Sequence, residues 1–290
     1  MEKTGIIWTE KTWNPVTGCQ KISQGCKFCY ADTIAKKYAG HAAFPNGFDL
    51  TLRPHKMRDP FKWDEPSLVF VNSMSDLFWE KIPEEYFVQV LEVMKKTPQH
   101  EYQVLTKRPE LMLEYSLKYE FPENMWCGVT IEDKKNLHRL EILKKVRAKI
   151  KFISAEPLLE DLGSISLKGI DWIITGGESG FHLWKREVSL VRGLVDYDKD
   201  TKLWIPKPHC IEWIRNLRDI AKRDGTFFFH KQWGGSFPEA AGRELDGKTY
   251  NEMPKYPGDK LEINNEYLKH IEGKRVIDKK QESFHQGKLF

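Results

Sequence analysis

Cysteine is scarce in this chain and unevenly spread. Only five of 290 residues are cysteine, and Cys19, Cys26 and Cys29 fall together near the N-terminus. An odd, clustered set argues against a disulfide-stapled scaffold and fits a reducing compartment. No uninterrupted apolar run reaches the roughly 20 residues a membrane helix needs, and no apolar signal segment opens the chain. The expectation is a cytoplasmic protein with no membrane partner. A strong charge excess is missing too, since 46 Lys and Arg against 42 Asp and Glu leave +4. That permits a nucleic-acid partner without requiring one, because phosphate is met by a local patch and not by a total. Nor does a Gly-x-Gly-x-x-Gly turn follow the first expected strand, which weakens the case for a doubly wound dinucleotide-binding sheet.

Tryptophan, by contrast, is abundant at ten residues. Most such rings fill a core or line a cleft, and some give stacking faces for bases. With 40% apolar and 30% charged residues, the chain is long enough for one large domain or two small ones.

Short apolar runs recur along it, each closing on polar residues. Leu68–Val71 stops at Asn72-Ser73-Met74-Ser75-Asp76, and Tyr102–Leu105 stops at Thr106-Lys107-Arg108-Pro109. Met125–Val129 stops at Thr130-Ile131-Glu132, Ile150–Ile153 at Ser154-Ala155-Glu156, and Trp172–Ile174 at Thr175 to Gly180 with Glu178 among them. Thr226–Phe229 stops at His230-Lys231-Gln232-Trp233. Helical periodicity lies between most of these runs, as at Phe87, Val90, Leu91 and Met94, where Pro83 sits near the first turn. Adding a strand before Cys19 gives seven.

The alternation predicts an α/β fold: a complete or partial parallel β/α barrel of six to eight strands, residues 1–235. Residues 236–290 form a C-terminal extension, with a hairpin at Arg243–Tyr250 around an Asp-Gly turn and a basic helix and tail from about Lys269. The stretch Phe181–Pro208 is long for a connection and reads as an insertion near the site, a lid, a substrate loop or a surface excursion. In a β/α barrel the active site lies at the C-terminal strand ends. Any one polar group there is more often a helix cap or a loop charge. Seven in succession, one of them the cysteine cluster, point to a shared mouth.

Three thiolates on one loop can hold zinc, form a redox pair with a spare thiol, or ligate an iron–sulfur cluster. Structural zinc takes four ligands, usually as two knuckles, and only Cys26 and Cys29 form a knuckle here. A redox Cys-x-x-Cys leaves Cys19 without a purpose. A cubane held by three thiolates leaves one iron open to a small ligand, and this option fits the residues best; Phe28 beside Cys29 would shield it.

The Cys-x-Phe-Cys-Tyr ending after a first strand resembles the radical S-adenosylmethionine superfamily, although six residues separate Cys19 from Cys26 where three are usual. A closer resemblance is to a phage- and prophage-borne family of unknown function. It is carried by Trp13–Cys19, Gly25–Ala31, Met74–Phe78, Leu105–Pro109, Gly128–Glu132, Ser154–Leu158, Gly176–Gly180 and Lys231–Gly234. The chain departs from that family at Phe181–Pro208, where Lys207-Pro208 replaces an Arg-Pro pair.

The resemblance implies a [4Fe-4S] cluster on Cys19, Cys26 and Cys29, with S-adenosylmethionine on its open iron. Asn72, Ser73, Met74 and Asp76 would hold the amino and carboxylate ends of that cofactor. Lys107, Thr130, Glu132 and Glu156 would complete the cofactor site, the last three toward ribose and adenine. Glu178, Lys231, Gln232 and Trp233 would face the substrate. The activity implied is 5'-deoxyadenosyl-radical chemistry on a nucleic acid or nucleobase, for repair or modification. The implied partners are DNA or RNA, an external electron donor and a partner protein. The alternative reading is a non-catalytic zinc- or cluster-binding protein that binds nucleic acid.

Overall fold

Seven strands in a computed structural model, which describes residues 4–256, form one sheet in which neighbours in sequence are neighbours in space. They are β1 (Lys11–Trp13), β2 (Leu68–Val71), β3 (Glu101–Thr106), β4 (Met125–Thr130), β5 (Ile150–Ala155), β6 (Trp172–Gly176) and β7 (Phe227–Gln232). Every pairing is parallel. The sheet curls into a half-barrel, so the partial form of the expected β/α barrel is the one adopted.

Helices α1 (Tyr30–Lys37), α2 (Glu84–Lys96), α3 (Pro109–Lys118), α4 (His138–Lys145), α5 (Arg186–Arg192) and α6 (Pro208–Asp224) interleave with the strands. In α2 the residues Tyr86, Phe87, Val90, Leu91 and Met94 recur at helical spacing and bury one face. Glu84 and Glu85 in its first turn and Lys95 and Lys96 in its last suit the helix dipole. The connection from β5 to β6 carries no helix, which breaks the expected alternation once.

Strand side chains alternate between two packed layers. Val69, Val71, Tyr102, Val104, Cys127, Val129, Ile153 and Ile173 join the helices in the larger core. The intervening Leu68, Phe70, Trp126, Phe152, Trp172, Ile174 and Phe229 form a second cluster in the hollow of the sheet, closed by Ile7, Trp8, Met253 and Tyr256. Burial on both faces is why the strands read as unbroken apolar runs.

The Asp-Gly turn is present: Asp246 and Gly247 both have positive φ, 55° and 71°, and Leu245 and Lys248 exchange bonds of 2.9 and 3.1 Å. The chain then lies antiparallel along β7, with His230 N donating to the Tyr250 carbonyl at 3.0 Å, and so covers the sheet's last edge. The expected basic tail falls outside the described residues. Residues 181–208 contribute a 3-10 turn at Phe181–Trp184, helix α5, and an antiparallel pair of Val195–Asp198 with Leu203–Pro206. Among the described residues no helix is long and apolar enough to cross a membrane.

Candidate functional site

The period of two that packs the hollow of the sheet also builds its mouth. One step of two residues beyond inward-facing Phe70, Leu105, Gly128, Ser154 and Phe229 stand Asn72, Lys107, Thr130, Glu156 and Lys231. All five line one cavity of about 290 Å³, together with Cys19, Cys26, Cys29, Ser73, Asp76, Glu178 and Gln232. Ile6, Trp8, Phe70 and Leu105 supply apolar lining. Gly128 is required by this packing, because a Cβ there would lie 2.3 Å from the Phe152 ring.

Three expected residues lie elsewhere. Met74 is outside the lining; its N–H donates to Asn14 Oδ1 at 3.0 Å and its carbonyl accepts from Gly18 N at 3.0 Å. Glu132 is fully buried beneath the cysteine loop. Trp233 is buried and donates its Nε1 to the Glu244 carbonyl at 2.8 Å.

The cysteine loop starts where Gly18 bridges to Ser75 and ends where Cys29 precedes α1. All three thiols are half-buried. Burial, and secondarily the Asp76 charge, push the Cys19 thiol up to about 11 in spite of Arg108. Burial also raises Cys26, but the Lys107 charge and hydrogen bonds from Ile22 and Ser23 outweigh it and bring that thiol below its usual value.

Three buried carboxylate–arginine pairs grip this loop at successive points. Asp76 Oδ2 accepts from Arg108 Nη1 at 3.0 Å and from Lys107 N at 3.1 Å, while its Oδ1 accepts from Thr106 Oγ1 at 2.6 Å and Phe78 N at 3.1 Å. Arg108 then donates Nη2 to the Gln20 carbonyl at 3.3 Å and reaches the Cys19 Sγ at 3.9 Å. Glu132 pairs with Arg139 at 2.8 Å and accepts from the Ser23 hydroxyl. A Cβ on Gly25 would come within 2.5 Å of the Glu132 side chain, so the loop lies flat on that carboxylate. Glu178 takes Arg192 in a fork, Nε at 2.6 Å and Nη2 at 2.7 Å, and the same Nη2 donates to the Gln24 carbonyl at 3.0 Å.

Phe28 is fixed by the same segment. The His182 ring stacks on it at 3.9 Å, nearly parallel, and the Arg192 guanidinium lies 5.2 Å from its centroid. Burial, aided by Arg192, holds His182 below its usual pKa despite Glu178, which lies 3.4 Å from its Nε2. Residues 181–192 thus wall the cysteine loop. Sequence reasoning found the carboxylates but not Arg139, Arg192 or His182, whose partners lie on other elements. Glycines bring the last two strand ends together, since a Cβ on Gly177 would sit 2.0 Å from the Trp233 carbonyl oxygen.

Away from the loop the polar groups are less engaged. Lys231 Nζ meets Glu156 Oε1 at 3.1 Å with both side chains partly open, and Lys107 Nζ reaches Thr130 Oγ1 at 3.3 Å. Asn72 sits at a positive φ of 58° and accepts from Val16 N through Oδ1, which leaves its buried Nδ2 without a partner. An orphaned amide at a cavity wall suits an anionic ligand group. Among the described residues no three His, Cys, Asp or Glu side chains converge on a point that would hold one metal ion. Cys19, Cys26 and Cys29 all line the cavity, and three thiolates are the donor set that a cluster, taking one thiolate on each iron, would use.

Residues 3–202 and 206–254 match a family model described as a protein of unknown function, DUF5131. The chain belongs to the DUF5131 family. Most of the segment set apart as an insertion lies within that match. No curated protein matches the chain. Among solved structures, a cysteine-to-serine mutant of spore photoproduct lyase aligns with a TM-score of 0.50 and 12% identity, covering 77% of this chain and 76% of that one. A tyrosine-to-phenylalanine mutant of the same enzyme gives 0.48 and 12% identity over 74% of each chain. A further mutant, with bound AdoMet and dinucleoside spore photoproduct, gives 0.47 and 10% over 76% and 75%. The DUF5131 chain therefore shares the partial-barrel fold of that lyase.

Proposed function

We propose that this DUF5131 protein is a radical S-adenosylmethionine enzyme that acts on a nucleic acid or nucleobase. The observation that carries the reading is one cavity lined by three thiols on a single loop and by polar residues from the ends of successive parallel strands. Cys19, Cys26 and Cys29 would hold a [4Fe-4S] cluster and leave one iron for the amino and carboxylate groups of S-adenosylmethionine. When bound and reduced by an external donor, that pair supplies the 5'-deoxyadenosyl radical.

The chain's own groups divide the remaining work. Asn72 Nδ2 is the free donor for the cofactor's carboxylate, and Ser73, Lys107 and Thr130 offer further donors along the same wall. Glu156 and Lys231 form a partly open pair that can bond a polar group of the substrate. Lys231 and Gln232 face the substrate, while the apolar lining of Trp8, Phe70 and Leu105 excludes water. A nucleic-acid or nucleobase substrate is supported by aromatic faces and cations in one mouth: Trp8, Phe28, Phe70 and Tyr30 with Lys21, Lys107 and Lys231.

Anaerobic reconstitution with iron and sulfide, then reduction in the presence of S-adenosylmethionine, tests the activity. Brown absorbance and released 5'-deoxyadenosine are expected, and Cys26→Ser should lose both. A colourless protein that releases no 5'-deoxyadenosine overturns the reading. For the substrate class, labelled single- and double-stranded DNA should bind more weakly as salt rises. Binding that is absent at every salt concentration removes nucleic acid from the proposal.

A further inference from the structure

Asp76, Glu132 and Glu178 stand at three different strand ends, where cofactor or substrate contacts are expected, yet each is already committed. Each carboxylate is buried and pairs with an arginine: Arg108, Arg139 or Arg192. Each pair also bonds the cysteine loop, at the Gln20 carbonyl, the Ser23 hydroxyl and the Gln24 carbonyl respectively. These three anchor points all lie between Cys19 and Cys26, in the six-residue stretch that is longer than the usual superfamily spacing.

We propose that the three carboxylate–arginine pairs are one positioning device, which holds the long Cys19–Cys26 stretch in register so that its thiols face the cavity before any cluster arrives. Asp76, Glu132 and Glu178 are then positioning residues and not contacts to S-adenosylmethionine or substrate. A six-residue loop whose regular structure begins with a 3-10 turn at Gln24–Cys26 still has many conformations to lose, and three anchors at residues 20, 23 and 24 remove that freedom in advance. The bidentate fork of Arg192 on Glu178 leaves its Nη2 aimed at the loop, a geometry that lysine's single ammonium does not reproduce. This inference rests on the cysteines being the cluster ligands, but its first readout does not.

The test compares Arg108→Lys, Glu132→Gln, Glu178→Gln and Arg192→Lys with the wild type; lysine at 108 keeps the positive charge beside Cys19 but loses the reach to the Gln20 carbonyl. Arg215→Met serves as the control, since it breaks an exposed arginine–carboxylate pair with Asp246 that is remote from the loop. Reaction of the metal-free thiols with a disulfide reagent should speed up by roughly tenfold in the four variants, as expected when a charge-assisted anchor on the loop is lost or the carboxylate that aims it is neutralised. The control should react like the wild type. After reconstitution, the reduced-cluster electron paramagnetic resonance spectrum and midpoint potential should change without S-adenosylmethionine present. If the carboxylates instead touch the cofactor, thiol rates and cofactor-free spectra stay at wild-type values and only the response to added S-adenosylmethionine is lost, which overturns the proposal. Rates are read below each variant's melting temperature. A carboxylate variant that does not fold is replaced by the lysine variant of its arginine partner. If even the wild type takes up no cluster, the proposed function fails while the thiol rates still decide the positioning role.

Discussion

Two sectors of the same mouth use acid–base pairs in opposite ways. On the cysteine side, Asp76–Arg108, Glu132–Arg139 and Glu178–Arg192 are buried, and every pair spends a further bond on the loop. At the same mouth, Glu156–Lys231 is a single contact of 3.1 Å with side chains 13% and 22% exposed. Ions taken out of water persist only when paired, and each carboxylate of the first sector has its arginine, although Arg139 Nε is buried without a hydrogen-bond partner. The second sector keeps access to solvent and spare bonding capacity, which is what a group that meets a ligand requires. The position of a carboxylate at a strand end therefore does not assign its role. The number of partners it already has does.

The largest effect should follow from breaking the most buried pair. Arg139→Met leaves the fully buried Glu132 carboxylate with the Ser23 hydroxyl as its remaining hydrogen-bond donor, and should cost about 3–5 kcal/mol in urea unfolding. Adding Glu132→Leu to that variant should restore much of the loss, because an apolar pair carries no desolvation penalty. No recovery in the double variant would mean that the loop anchor at Ser23, and not the unpaired charge, dominates. A smaller effect is expected from Gly25→Ala. Its Cβ would press on Glu132 at 2.5 Å and lift the loop without removing any charge, at about 1–3 kcal/mol. Its metal-free thiols should react faster as well.

Much of the architecture is legible in the sequence, and the reasons are local. A strand packed on both faces, such as Leu68–Val71, shows itself as an unbroken apolar run. The hairpin follows from Asp246-Gly247, because few residue pairs accept two successive positive φ angles. The ring Asn72, Lys107, Thr130, Glu156 and Lys231 can be found one to three residues past the end of each run. The arginine partners could not be found this way. Arg108 reaches Asp76 across 32 residues, and Ser23 reaches Glu132 across 109, so tertiary packing alone brings them together. The same holds for residues 181–208, whose irregular pattern leaves open an insertion near the site, as a lid or substrate loop, and a surface excursion. In the fold, Arg192 and His182 brace this segment against the cysteine loop, while none of its residues lines the cavity. The missing helix between β5 and β6 left no signal, since a crossover needs length but not a particular element.

The smallest effect on stability, and the sharpest on chemistry, should come from Lys231→Met. A partly exposed pair is worth about 0–1 kcal/mol, so the melting temperature should hardly move. Lys231 nevertheless lines the cavity beside Gln232, and Glu156 is held near it by the absence of a side chain at Gly176, where a Cβ would stand 2.5 Å from the carboxylate. If Lys231 serves the substrate, the variant should still release 5'-deoxyadenosine from S-adenosylmethionine but no longer couple that release to product. If it serves the cofactor, both should fall together, and Glu156→Gln should behave the same way. A melting temperature that drops as far as it does for Arg139→Met would erase the distinction between the two sectors, because the open pair would then be carrying the fold in the same way as the buried ones.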